Sequence, residues 1–313
     1  MAKTELTLVL PGLAAILEQK INASIIPTYL AKILSKSEFK KQSIGVSRLL
    51  FNSFSANALT ESDLPMVSLE MSNKIALRAD PCYLHADRDR LLLFSDMLDI
   101  TKEESTALIA EIQPLFDDFG GVLTPSTANN WLLELQSLPD LNFSALSEVS
   151  GQSVDSYLPK GKEQQDWIRL WNEVQMKLYA SEINQRRTEN NKLPINSIWF
   201  WGAGHFEAKT AAWTKVQGNS LLLKQLADKS ITPIECNADF THSSLSAGKH
   251  LWLADEINID EACAEQLQVL DNTLFQPLWH ACRTAKIATI TLQIPNHGDY
   301  KLSSLDCWKF WKT

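Results

Sequence analysis

The sequence contains no Cys-x-x-Cys pair. Its 5 cysteines, Cys82, Cys236, Cys263, Cys282 and Cys307, are odd in number and widely spaced, which argues against both a zinc ribbon and a disulfide framework. No apolar run approaches the ~20 residues of a membrane span. Met1-Ala-Lys-Thr-Glu leads straight into a strand-like run, with no cationic leader or small-residue cleavage site. Positive charge is not in excess: 29 Lys and Arg stand against 37 Asp and Glu, for a net charge of −8 and a pI of about 5.3. There is thus no broad electrostatic footprint for nucleic acid or an anionic membrane. A Gly-Lys-Ser or Gly-Lys-Thr phosphate loop, a Gly-x-Ser-x-Gly nucleophile elbow and internal repeats are also absent. These absences set the expectation of a protein of a reducing, bacterial-type cytoplasm, with no bound cofactor and no nucleic-acid or membrane partner.

What is present reads as α/β. Leu6 to Leu10 is a buried-strand pattern closed by Pro11-Gly12, and Leu13 to Lys20 has helical spacing. Ile26 to Leu59 reads as a helical region. From Ile75 the texture changes: Ile75 to Ala79 and Leu91 to Phe94 read as strands flanking Asp80-Pro81 and the turn Asp87 to Arg90. A helix follows with a capping box, Thr101 and Glu104, and is bent at Pro114. Gly120-Gly121 ends it, and Gly121 to Thr124 and Trp131 to Leu135 supply two further strands. Ser137 to Lys162 reads as a connector. Glu163 to Ala180 is the clearest helix, because Trp167, Leu170, Trp171, Val174 and Leu178 recur on one face, and Asn190-Asn191 suits a helix stop. Then come a helix at Leu221 to Ala227, strands at Ile231 to Glu235 and His250 to Ala254, and a helix from Asn258, with Glu261 in a box-like cap, that Pro277 interrupts. Ile287 to Ile294 alternates as a half-buried strand does, and Trp308 to Lys312 reads as a last strand or, alternatively, a partner-binding aromatic tail.

The chain is organised around Pro194 to His205, where a buried run, Ile198-Trp-Phe-Trp201, meets the turn Gly202-Ala-Gly204. Such a turn lets backbone approach a ligand, and Asn184, Arg187 and Asn196 bracket it. Together with Gly202 and Gly204 they form a candidate site for a phosphate or carboxylate ligand. The competing reading is that the three side chains cap a helix and tie down a loop, and that the glycines make a plain turn. His85-Ala-Asp87, His297-Gly-Asp299 and the pair Asp239 and His242 are weaker acid-base or metal candidates beside predicted turns, where solvated polar residues are also expected.

Trp171 to Met176, Ile183-Asn184, Arg187, the stretch Pro194 to Gly202 and Gly204 resemble the RpfE-type regulatory proteins of proteobacteria, which also carry the label cofactor-independent phosphoglycerate mutase. Leu77-Arg-Ala-Asp-Pro81, Leu91 to Leu93 and Trp308 to Trp311 support the likeness. Asn196, Trp199, Trp201, Gly202 and Gly204 are similar to the Asn-x-x-Trp-x-Trp-Gly-x-Gly pattern of archaeal-type cofactor-independent phosphoglycerate mutases, of the alkaline phosphatase superfamily. The resemblance implies a central, mainly parallel sheet sandwiched by helices, alkaline-phosphatase-like, with a small inserted α+β subdomain. It also implies two divalent metals held by Asp and His and a phosphorylated hydroxyl. Where those mutases carry Asp-Gly after the first strand, this chain has Pro11-Gly12. Their later Asp-His pairs and His-x-x-x-x-Ser-Asp signature are missing.

The expected organisation is a core of 1–74 and 163–313 with an insert and connector at 75–162. The expected function is that of a phosphomutase-like protein that has lost its metal site and acts by binding a small phosphorylated or carboxylate ligand or a protein partner. The alternative is an active mutase or phosphohydrolase whose Mn or Zn ligands are displaced to Asp80, His85, Asp239, His242 and Asp255. A third reading is an interaction protein that uses the aromatic tail.

Overall fold

A computed structural model of the chain describes residues 3–18, 26–57, 59, 63–71, 74–236, 245–257 and 263–309. Two compact units divide it: Met1–Asn57 with Ala208–Thr313, and Ala58–Glu207. The chain opens the first unit with β1 (Thr4–Val9), α1 (Leu13–Glu18), α2 (Thr28–Lys36), β2 (Glu38–Lys41) and α3 (Val46–Phe54). The region expected to be helical throughout, 26–59, is therefore two helices with a strand between them. Ser37 makes the break, since both its N–H and its hydroxyl donate to the Ile33 carbonyl and end α2 there.

The second unit holds α4 (Met66–Glu70), β3 (Ala76–Asp87), β4 (Arg90–Phe94), α5 (Lys102–Ile112), α6 (Pro114–Asp117), β5 (Val122–Thr127), β6 (Asn130–Glu134), β7 (Leu141–Asn142), α7 (Leu146–Val149), β8 (Lys160–Gly161), α8 (Gln164–Tyr179), α9 (Glu182–Glu189) and β9 (Ser197–Trp201). β3 is its spine. One edge of β3 pairs antiparallel with β6 and then β4, and the other edge pairs antiparallel with β9. The strand runs on through Asp80-Pro81, where the sequence suggests a stop. The Ile75 carbonyl bonds the Leu135 N–H on the β6 edge, and the Leu84 main chain bonds Asn196 on the β9 edge. This parity turns the Pro81 nitrogen toward the interval between β6 and β4, so its missing N–H breaks no ladder bond.

The boundary also differs from the expected 75–162 insert, because α8 and β9 belong to this second unit. β9 was expected in the parallel core sheet. All five of its residues are buried, and a run buried on both faces carries no alternation to tell which sheet it joins. Its place is fixed by aromatic packing that only the fold reveals: Phe200 lies edge-on to Trp167 of α8 with centroids 4.9 Å apart, and the Trp171 indole N–H donates to the Ile198 carbonyl at 2.8 Å.

Back in the first unit the chain forms β10 (Lys215–Gln217), α10 (Leu221–Lys229), β11 (Ile234–Glu235), β12 (Gly248–Leu253), α11 (Cys263–Leu270), a π-helical turn (Asp271–Phe275), α12 (Gln276–Arg283), β13 (Thr289–Ile294) and β14 (Gly298–Ser303). The seven-stranded sheet runs β11-β10-β12-β1-β13-β14-β2. It is parallel from β11 to β13 and antiparallel at β14 and β2. Leu6, Leu8, Ile290 and Leu292 carry one face into a core with Leu13, Leu30, Ile33, Phe275 and Leu278 from the helices. Pro277 does not interrupt the last helical stretch. It stands in the first turn of α12, where a proline forfeits little, and the π-helical turn before it takes up the change of register. The segment 258–262, with the expected cap at Asn258 and Glu261, lies outside the described residues. Asp306–Trp308 is a 3-10 turn rather than a last strand, held by the Asp306 carboxylate on the Ser303 N–H at 2.9 Å. Phe310 to Lys312 lie outside the described residues.

Candidate functional site

Pairing of β3 with β9 sets Arg78 opposite Trp201 and Asp80 opposite Trp199. Arg78 and Asp80, two apart on one strand, share a face, and both are buried. The Arg78 guanidinium bonds Asp80 at 3.0 Å and Glu70 of α4 at 2.7 and 2.9 Å, and lies over the Trp201 ring. Asp80 also accepts from the Trp201 indole N–H at 2.7 Å and from the Trp131 N–H at 2.9 Å. Burial pushes the Asp80 carboxyl up, against the pull of Arg78, Trp201 and Trp131. Every carboxylate oxygen here faces donors, so the cluster holds β3, β6, β9 and α4 in one arrangement.

The glycine turn sits on this cluster. Gly202 has φ 87°, and a Cβ there would meet Arg78 Cγ at 2.7 Å, so both conformation and space call for glycine. The Gly202 and Ala203 N–H groups donate to the two oxygens of Asp63, each at 2.9 Å, and the Leu64 N–H adds a third bond at 2.8 Å. The Gly202 carbonyl accepts from Val67, and the Phe206 N–H donates to Ser68 Oγ. The turn is thus laced to 63–68 along its length.

Asn184, Arg187 and Asn196 are placed near the turn's strand but are occupied with protein. The Asn184 amide donates to the carbonyls of Leu178 and Ile195, both at 2.8 Å, and its oxygen accepts the Ile195 N–H. Asn196 bonds both the N–H and the C=O of Leu84, standing in for a neighbouring strand. Arg187, 2% exposed, donates to the carbonyls of Leu193, Leu98 and Asp99 and to Glu104 at 2.8 Å. The same Glu104 oxygen closes the capping box with the Thr101 N–H. The geometry therefore favours the reading in which these three side chains tie down the loop and helix. Asn184 and Asn196 do reach the wall of an open groove of about 720 Å³, lined also by Tyr83, His85, Tyr179 and Glu189.

Asp80 and His85, the two metal candidates described within the second unit, do not meet. Asp80 is enclosed as above, and His85, five residues along the same strand, points to the opposite face, where its Nδ1 lies 3.3 Å from the Tyr83 hydroxyl. Asp255 is exposed in the other unit, and Asp239 and His242 lie outside the described residues. Asp87 pairs with Arg90, His297 bonds Tyr300 at 3.0 Å, and Asp299 accepts from Gln42. A two-metal centre needs Asp and His donors converging on one place. Among the described residues no group of three or more His, Cys, Asp or Glu side chains converges in that way, so the described candidates do not fit the implied metals.

The chain is similar to phosphoglycerate mutases. It is 35% identical over 71 residues to a 2,3-bisphosphoglycerate-independent phosphoglycerate mutase of Methanosarcina mazei, covering 23% of this chain and 18% of that one. It is 44% identical over 57 residues to a probable 2,3-bisphosphoglycerate-independent phosphoglycerate mutase of Geobacter sulfurreducens, covering 18% and 14%. The matched stretch thus spans less than a fifth of either relative. Among solved structures, the cofactor-independent phosphoglycerate mutase of Thermoplasma acidophilum aligns over 97% of this chain and 90% of its own, at 13% identity and a TM-score of 0.43. That likeness is too distant to bear on the site. No family model matches the chain.

Sequence reasoning left Asp63, Ser68 and Glu70 without a role. Arg78 and Asp80 had a readable signal, their spacing of two in a strand. Asp63 and Ser68 act on the turn from a segment remote in sequence, whereas Glu70 precedes Arg78 by only 8 residues.

Proposed function

We propose that this chain is a phosphoglycerate-mutase-like scaffold, alkaline-phosphatase-like in its core, that has lost the metal site and works as a cytoplasmic binding or regulatory protein of the RpfE type. The reading is carried by Pro11-Gly12. Where the resemblance implies a metal-ligating Asp, Pro11 offers no side-chain donor and its carbonyl is bonded to the Ile257 N–H at 3.0 Å. Gly12, at φ 83°, packs so tightly that a Cβ would lie 2.1 Å from the Ile257 carbonyl oxygen. The Ile257 backbone thus packs directly against the turn that follows the first strand, which supports the reading. The ligand class is a small phosphorylated or carboxylate compound, with a protein partner as the other occupant of the role.

The test is metal content per chain on untagged, chelator-free protein, followed by a phosphoglycerate mutase assay with manganese added. The expected result is neither bound metal nor turnover. Near-stoichiometric metal with turnover, abolished by alanine at two of Asp80, His85, Asp239, His242 and Asp255, would replace this reading with an active metal-dependent mutase or phosphohydrolase.

A further inference from the structure

The turn at Gly202 aims two successive backbone N–H groups at one carboxyl group of its own chain. Successive backbone N–H groups that converge through positive-φ residues form a concave nest, and such nests take phosphate and carboxylate groups. Here Gly202 has φ 87° and Gly204 φ 103°, and the N–H groups of Gly202 and Ala203 each meet one oxygen of a single carboxylate at 2.9 Å. The occupant is Asp63, a residue of the same chain. Gly202 and Asp63 are buried, Ala203 is half-buried, and Gly204 and His205 are exposed at the rim of the nest. Among the described residues only a proline edge, Pro65 Cβ, comes within 4 Å of where a Gly204 side chain would stand. The donors are backbone groups, so they select an oxyanion of carboxylate or phosphate shape rather than any one compound.

We propose that the Gly202–Gly204 turn is an oxyanion-binding site whose resting occupant is the Asp63 carboxylate, and that the phosphate or carboxylate group of a small ligand enters it by displacing Asp63. This rests on the reading of the chain as a ligand-binding scaffold and assigns that ligand a place. Asp63 then acts as an internal competitor, present at the high effective concentration of a tethered group. A free anion sees a site weakened by that competition. Displacement would free only the Asp63 end of the lacing, since the bonds of Val67 and Ser68 to the turn do not involve that carboxylate.

The experiment follows the Gly202 and Ala203 amide resonances of the full chain while inorganic phosphate, and separately formate, is added to wild type, Asp63→Ala and Asp63→Asn. In Asp63→Ala the nest is vacated, and both anions should shift these two amides with millimolar affinity, at least about tenfold tighter than in wild type. Asp63→Asn keeps one acceptor oxygen and the side-chain length, so it should fold and bind more weakly than Asp63→Ala. Equal binding by all three proteins, or no shift of these amides in a folded Asp63→Ala, overturns the proposal. Should Asp63→Ala not fold, formate or phosphate restoring its cooperative melting supports the site, and failure of both to restore it overturns it. A negative result here leaves the absence of metal and turnover standing, since those are read in a different assay.

Discussion

At the scale of single residues, the buried arginines of the second unit, Arg78 and Arg187, are committed to carboxylates of the same unit. The Arg78 and Asp80 side chains are 3% and 2% exposed, so cutting one partner leaves the other buried and uncompensated. Arg78→Met is therefore expected to cost about 3–5 kcal/mol in urea unfolding. Arg78→Met combined with Asp80→Asn should cost less than the sum of the two single changes, because the pair is removed together. Strict additivity would show that they do not interact. In the first unit, partial desolvation acts upward on Asp306, but hydrogen bonds from Lys309 and Ser303 carry it down from 3.8 to about 2. A depressed carboxyl stabilises the folded form above its unfolded value of 3.8 and loses that contribution as pH falls toward 2. The Asp306 carboxyl carbon should titrate near the lower value by NMR, and Asp306→Asn should remove this share of the acid sensitivity of the turn. Titration of that carbon at the ordinary carboxylate value would show that the turn does not hold.

At the scale of elements, local signals were legible and remote ones were not. The capping box of α5 could be read because Thr101 and Glu104 are three apart, and both of its bonds form. The stop of α9 could be read because Asn191 tolerates its φ of 56°. By contrast, α2 has Pro27 at its cap and no capping side chain of its own. Its orphan N–H groups at Tyr29 and Leu30 are met at 3.0 and 2.8 Å by Asp271, more than two hundred residues away on the π-helical turn. No periodicity in α2 points to that partner. Asp271 is 1% exposed, so Asp271→Ala leaves buried donors unsatisfied and should cost about 1–3 kcal/mol in urea unfolding. A change within experimental error would mean that other groups or water cap α2. The same distinction explains the site. Asn184, Arg187 and Asn196 were visible as polar residues flanking a buried run, but whether their amides and guanidinium face a ligand or a carbonyl is decided by chain segments such as Leu84 and Leu98 that the sequence does not bring near.

At the scale of the whole molecule, the α/β class was readable from apolar runs alternating with amphipathic helices, and the mainly parallel sheet was implied by the family resemblance. The allotment of strands to sheets was not readable, because β9 and β1 look alike as buried runs and only their neighbours differ. The surface charge makes a further prediction. With a net charge of −8, the protein at pH 7 should bind an anion exchanger and pass through heparin unretained. Retention on heparin at moderate salt would reveal a basic patch hidden in the average. Among the described residues no helix is long and apolar enough to cross a membrane.

The position of β1 has a consequence for how the protein is made. It lies between β12 and β13, so this strand leaves the ribosome long before either of its partners has been translated. The second unit, Ala58–Glu207, is continuous in sequence and needs nothing beyond its own last strand to close its sheet. Vectorial synthesis thus favours the second unit becoming structured first, with β1 waiting, apolar and unpaired, for β12 and β13 to arrive. That waiting strand is the stretch a nascent-chain chaperone would be expected to cover.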